Sequence, residues 1–279
     1  MNKLYIGTSG YNYKHWREVF YPKGLSQKNW LSFYAKYFDT VEINATFYGN
    51  FKKNVFENWA GEVPDNFQFC LKGPRFITHV KRLKTVEDSI SIFFENAIGL
   101  GEKLNIILWQ FPKSFKMNEE NLARLESFLS ILPNSIKCHQ ILKHPKSASY
   151  DVAAQVQSDN RIIRHAFEFR EGSWFTKQIY QLLNKYKAGF VIPDSPQFQF
   201  STLNLASHLT SGKLEFYYIR FHGSSELYSS EYTKEELKNW SLKIKKMLKK
   251  GDVYCYFNND AQGFAVKNAM ELKEILGLA

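Results

Sequence analysis

One repeated alternation limits what this chain can fold into. Short β-type runs recur at Leu4–Thr8, Thr40–Asn44, Phe67–Lys72, Leu104–Gln110, His165–Phe169, Gly189–Pro193, Phe216–Phe221 and Val253–Phe257. Several are nearly continuous apolar stretches, the pattern of parallel strands covered by helices. Between most of them lie stripes at helical spacing: Leu31, Tyr34, Ala35 and Phe38; Val86, Ile90, Phe93 and Ala97; Leu122, Leu125, Leu129 and Leu132; Phe175, Ile179, Leu182 and Tyr186. Ala265–Leu276 closes the series as a helix. Phe56 and Trp59 support only a short helix between the second and third runs, and the pattern after the sixth is weak. Eight alternations in 279 residues predict an α/β fold, a single (β/α)8 barrel of TIM type spanning residues 1–279. An open doubly wound sheet is the alternative, but no GxGxxG follows the first run. The polar stretch at about 133–163 reads as an insertion between strands four and five, with a short helix at Val152–Gln157.

Composition narrows the class. No stretch approaches the roughly 18 apolar residues of a membrane span, and the start, MNKLYIGTSG, lacks a signal-peptide core. Cys70, Cys138 and Cys255 are an odd, scattered set. They predict a reduced, cytoplasmic protein with no structural zinc. The net charge of +10 suggests anionic partners. Seven of the lysines fall between Lys234 and Lys250, however, in a segment that reads as one helix. Thr233 and Glu236 match a capping box, Leu237, Trp240, Ile244 and Leu248 form its apolar stripe, and Gly251 stops it. Its lysines are better read as a solvated face than as a nucleic-acid site.

In such barrels the active site forms at the C-terminal strand ends. The residues there are chemically rich: Ser9 after strand one; Glu42, Asn44 and then Tyr48 around strand two; Lys72 and the following His79; Gln110; Glu168, Arg170 and Trp174; Asp194; Arg220 and His222; Asn258 and Asn259. Period-two spacing puts Glu42 with Asn44, Glu168 with Arg170, and Arg220 with His222 on one strand face. A buried structural network explains any single pair. Polar groups converging from most strands call for a function, since charged residues are rarely buried without one. The aromatic cluster Tyr11, Tyr13, Trp16, Phe20 and Tyr21 reads as a loop able to line a pocket.

Three chemistries fit this set. Glu42, Glu168, Asp194 and His222 are of the types that hold a divalent cation, bound weakly. Glu42 and Glu168 are of the type used as an acid/base pair. Lys72, Arg170 and Arg220, with the amides of HGSS and GTSG, suit a phosphate or carboxylate.

The segments GTSGYNYKHWREVFYP (Gly7–Pro22), FDTVEINATFY (Phe38–Tyr48), FQFCLKGPRFITH (Phe67–His79), LWQFPKSF from Leu108, AFEFREGSW (Ala166–Trp174), YIRFHG (Tyr218–Gly223) and YFNNDAQGFAVKNA (Tyr256–Ala269) resemble the domain of unknown function 72 family, also called YecE-like. The resemblance covers nearly the whole chain in motif order. It implies a TIM-type barrel and supplies no activity. Its motifs coincide with the strand-end residues named above.

The expectation is therefore a hydrolase or lyase acting on a phosphorylated or otherwise anionic small molecule. Glu42, Glu168 and His222 are the candidate catalytic groups. Arg170, Arg220 and Lys72 would hold negative charge, and Trp16, Tyr48 and Trp174 would wall the pocket. The alternatives are a nucleic-acid binding or processing protein, resting on the charge, and a non-catalytic ligand-binding module. The sequence sets neither substrate, cofactor nor oligomeric state.

Overall fold

A computed structural model describes residues 2–133, 162–198 and 216–278. Its strands are β1 (Leu4–Thr8), β2 (Thr40–Ile43), β3 (Gln68–Lys72), β4 (Leu104–Gln110), β5 (Arg164–Glu168), β6 (Gly189–Asp194), β7 (Phe216–Phe221) and β8 (Asp252–Phe257). They form one sheet in the order β1-β8-β7-β6-β5-β4-β3-β2, and every ladder is parallel. Each expected run is a strand, with ends shifted by a residue at most. Most of the proposed insertion, its expected helix at Val152–Gln157, Cys138 and much of the segment after β6 lie outside the described residues. No helix among the described residues is long and apolar enough to cross a membrane.

The helices are α1 (Trp30–Tyr34), α2 (Ala45–Tyr48), α3 (Lys53–Gly61), α4 (Glu87–Ala97), α5 (Glu119–Ile131), α6 (Lys177–Lys185), α7 (Lys234–Leu248) and α8 (Phe264–Leu276). The α7 capping box forms as its sequence requires. Leu237, Trp240 and Ile244 are buried on its inner face, each worth about 1.5–3 kcal/mol of removal from water. Lys234, Lys238, Lys245, Lys246, Lys249 and Lys250 lie exposed on its outer side.

Strand alternation divides the core in two. One side of the strands (Val41, Ile107, Ile192 and Ile219) packs against helix residues such as Phe94, Leu125 and Leu272. The other fills the barrel with a separate cluster that includes Cys70, Leu108, Ala166, Val191, Tyr218 and Tyr256.

Between β1 and β2 the barrel is nearly closed. A single ladder position, Ser9 with Glu42, joins the two ends. Below it the Tyr34 hydroxyl fills the gap. It accepts from the Thr8 amide at 3.0 Å and donates to the Thr40 carbonyl at 3.1 Å. Gly7 permits this approach, because a β-carbon there would lie 2.4 Å from the Thr40 carbonyl oxygen.

Candidate functional site

Arg220, the inward residue near the end of β7, is the centre of the C-terminal mouth. Its side chain is 1% exposed, and Glu42 and Glu168 are fully buried. The guanidinium donates twice to Glu42, from Nε to Oε2 at 3.0 Å and from Nη2 to Oε1 at 2.6 Å. It donates to Glu168 Oε2 from Nη1 at 2.6 Å, and Nη2 also reaches Ser9 Oγ at 3.4 Å. The planar fork of arginine is what allows one cation to serve two carboxylates and a hydroxyl. The Tyr218 hydroxyl donates to Glu42 Oε2 at 2.5 Å.

The second half of the network is built on Glu168. Its Oε1 lies 2.8 Å from His222 Nε2 and 2.9 Å from Arg170 Nε. Asn258 Nδ2 lies 3.1 Å from His222 Nδ1. A neutral imidazole satisfies all of this when Nε2–H donates to Glu168 and Nδ1 accepts from Asn258. Burial first, then the Arg170 charge, push the His222 pKa down to about 3, in keeping with that tautomer. Burial alone would raise Glu168, but Arg170, Arg220 and His222 outweigh it and hold the carboxyl well below its usual range. A poorly solvated carboxyl can act as a proton donor; Glu168 shifts the opposite way and is ionised at neutral pH.

Lys72 ends β3 beside this network. It is 7% exposed, and its Nζ lies 4.1 Å from the centre of the Phe47 ring. Burial, chiefly, and then Arg220 lower its pKa to about 7, against opposite pulls from Glu168 and Glu42. His79, on the wide turn Phe76–Val80, packs edge-on against Phe47. Burial, then Lys72, Arg75, Arg170 and Arg82, bring His79 down to about 4. Four cationic side chains thus act on one imidazole, so this side of the mouth is positive.

The structure brings together Ser9, Glu42, Lys72, Glu168, Arg170, Arg220, His222 and Asn258. Asn44 joins them at the seam, donating from Nδ2 to the Ser9 carbonyl at 3.1 Å. Gln110 ends β4 in register with Glu168. Tyr48 is 79% exposed on α2.

Four candidates lie elsewhere. Trp16 is fully buried among Tyr13, Phe20 and Tyr34, with Nε1 bonded to Asp260. Trp174 is stacked between Phe115 and Phe169 and donates to the Phe115 carbonyl. These indoles form core rather than pocket wall. Asp194 accepts from Trp240 Nε1 of α7 at 3.0 Å and therefore faces the helix layer. Asn259 ties the Ser230 carbonyl to Asn268.

The HGSS amides also differ from expectation. Those of His222, Gly223 and Ser225 bond to the Asp194 carbonyl, Tyr232 and Ser230, so most of them are taken up within the fold instead of presenting a phosphate cradle. Of the carboxylates expected to hold a divalent ion, Glu42 and Glu168 are occupied by arginine and Asp194 accepts from Trp240. Among the described residues no group of three or more His, Cys, Asp and Glu side chains is placed to hold a metal ion.

Tyr218, Phe47, Tyr228, Arg75 and Arg82 escaped the sequence reading. Tyr218 had a signal: it shares Arg220's strand face two residues away. Tyr228 had none. It sits edge-on to His222 and under Arg170 by way of a loop with left-handed backbone at Tyr228.

A nearly closed parallel barrel with a charged ring at the C-terminal strand ends places the molecule among TIM-type barrel proteins whose mouth is chemically equipped. Within that class, the chain belongs to the family described as protein of unknown function DUF72, whose model matches residues 5–279. It is 27% identical to the UPF0759 protein YunF of Bacillus subtilis, over 99% of this chain and 95% of the relative. It is 29% identical to the UPF0759 protein YecE of Escherichia coli, over 51% of this chain and 49% of that one. A crystal structure of a DUF72 family protein from Thermotoga maritima superposes with a TM-score of 0.77 at 27% identity, covering 99% of both chains.

Proposed function

We propose that this protein is an enzyme, a hydrolase or lyase, that acts on a phosphorylated or otherwise anionic small molecule at the C-terminal barrel mouth. The observation that supports this is an excess of arginine at the mouth. Arg220 and Arg170, with Arg75 and Arg82 acting on the neighbouring His79, stand against two carboxylates, Glu42 and Glu168. Arg220 is committed to both carboxylates. Arg170, with Arg75 and Arg82 nearby, supplies the positive charge that an anion would neutralise. Glu42 and Arg220 then position the others, while His222 relays hydrogen bonding between Glu168 and Asn258.

Calorimetric titration with inorganic phosphate tests the reading. Arg170→Gln should weaken binding by about tenfold or more, the value of one lost charged hydrogen bond; Glu168 keeps Arg220 and His222, so the variant loses some stability but stays folded. Unchanged affinity in that variant, or affinity lost instead on replacing Lys245 and Lys246 of α7, would reject the mouth as the anion site.

A further inference from the structure

Lys72 is the side chain the network leaves over. Among the described residues its amine makes no hydrogen bond and no ion pair, although two carboxylates lie in the same mouth. Glu42 and Glu168 are turned instead toward Arg220, Arg170 and His222. The groups that face the amine are the Phe47 ring from α2, the neutral His79 from the turn after β3, the charges of Arg220 and Arg170, and, pulling the other way, the carboxylates Glu168 and Glu42. Burial without a hydrogen-bond or ion-pair partner, together with the arginines beside it, favours the uncharged amine against the pull of the carboxylates and the Phe47 ring face. An uncharged lysine in such surroundings is a nucleophile.

We infer that Lys72 forms an imine with the carbonyl carbon of a phosphorylated aldehyde or ketone. The inference rests on the anion reading of the mouth and narrows it to lyase chemistry. The Nζ lone pair attacks the carbonyl carbon, and a C–N bond forms as the C=O π pair moves to oxygen. That oxygen leaves as water with the two amine protons. Addition of one solvent proton gives an iminium, which accepts the electron pair of the adjacent carbon–carbon bond as a β-hydroxyl passes its proton to water and that fragment departs as a carbonyl compound; the enamine left takes a proton at carbon, and water hydrolyses the imine to free Lys72. Arg170 and the Arg75–Arg82 side hold the phosphate. The pKa of about 7 agrees with this geometry: at pH 7 roughly half of such an amine is free base, against about one in 3,000 of an ordinary lysine.

The purified protein is treated at pH 7 with cyanoborohydride and limiting glycolaldehyde or glycolaldehyde phosphate, and modified lysines are mapped by mass spectrometry. Lys72 should be alkylated about tenfold or more faster than Lys245 and Lys246, as expected for a desolvated amine, and faster with the phosphorylated aldehyde. Lys72→Met should lose that one modification. The mapping in the unaltered protein stands even if this variant fails to fold. Labelling of Lys72 no faster than of Lys245 and Lys246 with either aldehyde overturns the inference. Selective labelling at equal rates with both aldehydes supports the imine and removes the anion reading. Phosphate binding at the mouth without Lys72 labelling keeps the anion reading and rejects the imine.

Discussion

Replacing Arg220 with Met removes the cation on which the mouth is built while keeping an unbranched side chain in its place. Glu42 then keeps only the Tyr218 hydroxyl bond, whereas Glu168 keeps Arg170 and His222. Removing one partner of a buried ion pair costs about 3–5 kcal/mol because a charge is left uncompensated. Here that cost falls mainly on Glu42, out of a total stability of about 5–15 kcal/mol. With a urea slope of about 1–3 kcal/mol per molar, the unfolding midpoint should drop by roughly 1 M or more. The loss should also depend on pH. Glu168 titrates below its unfolded value in the native protein, so its contribution is complete above that unfolded value and fades as pH falls. Arg220→Met removes part of this depression. The gap between native protein and variant should therefore hold across neutral pH and narrow only once pH falls below the ordinary carboxylate value of about 4.5. Adding Glu42→Leu to Arg220→Met should recover much of the loss, since an apolar pair can replace a buried ionic one. A loss under ~1 kcal/mol at pH 7, the range of exposed ion pairs, or a gap that widens on acidification, would refute the reasoning.

Three further outcomes follow from the same geometry. Tyr34→Phe should destabilise by about 1–3 kcal/mol, because it strands the buried Thr8 amide and Thr40 carbonyl; hydrogen exchange at Thr8 should rise more than at mid-barrel amides such as Ile219. His165 is buried, donates from Nε2 to the Pro133 carbonyl and accepts from Trp109, and burial lowers its pKa from 6.5 to about 4. Its stabilisation is complete above pH 6.5 and should be lost as pH falls toward 4, on the order of 3 kcal/mol, so His165→Gln should give a shallower acid limb in denaturation curves. Burial raises Asp194 to about 6, so the native protein loses stability as pH rises from 3.8 through 6. Asp194→Asn should therefore gain in melting temperature relative to the native protein across that window and hold the gain at pH 7.

The strands were legible because burial on both faces leaves a chemical trace: runs such as LNIILWQ and FYYIRF carry apolar groups on both faces of the strand. The ring of strand-end charges was legible for the same reason in reverse, since Glu42, Glu168 and Arg220 interrupt those runs. Closure was less legible. It depends on a helix residue, Tyr34, whose hydroxyl meets β1 and β2 across the seam, and helical spacing marks it only as core. Loop-borne candidates fared worst. Trp16, Trp174 and Asn259 follow strands, where no periodicity says which way a side chain turns. Asp194 is on a strand, but its place in the alternation with Ile192 puts it on the outer face. Role assignment needed distances, because only the partners of Glu168 show that it is held ionised and that Lys72 is left without a carboxylate.

A crystal structure of the protein grown in phosphate puts the mouth to the most direct test. The account predicts a phosphate within hydrogen-bond reach of Arg170, on the Lys72 side of the Glu42–Arg220–Glu168 network, with that network unmoved. An empty mouth with phosphate held instead by the exposed lysines of α7 would contradict it.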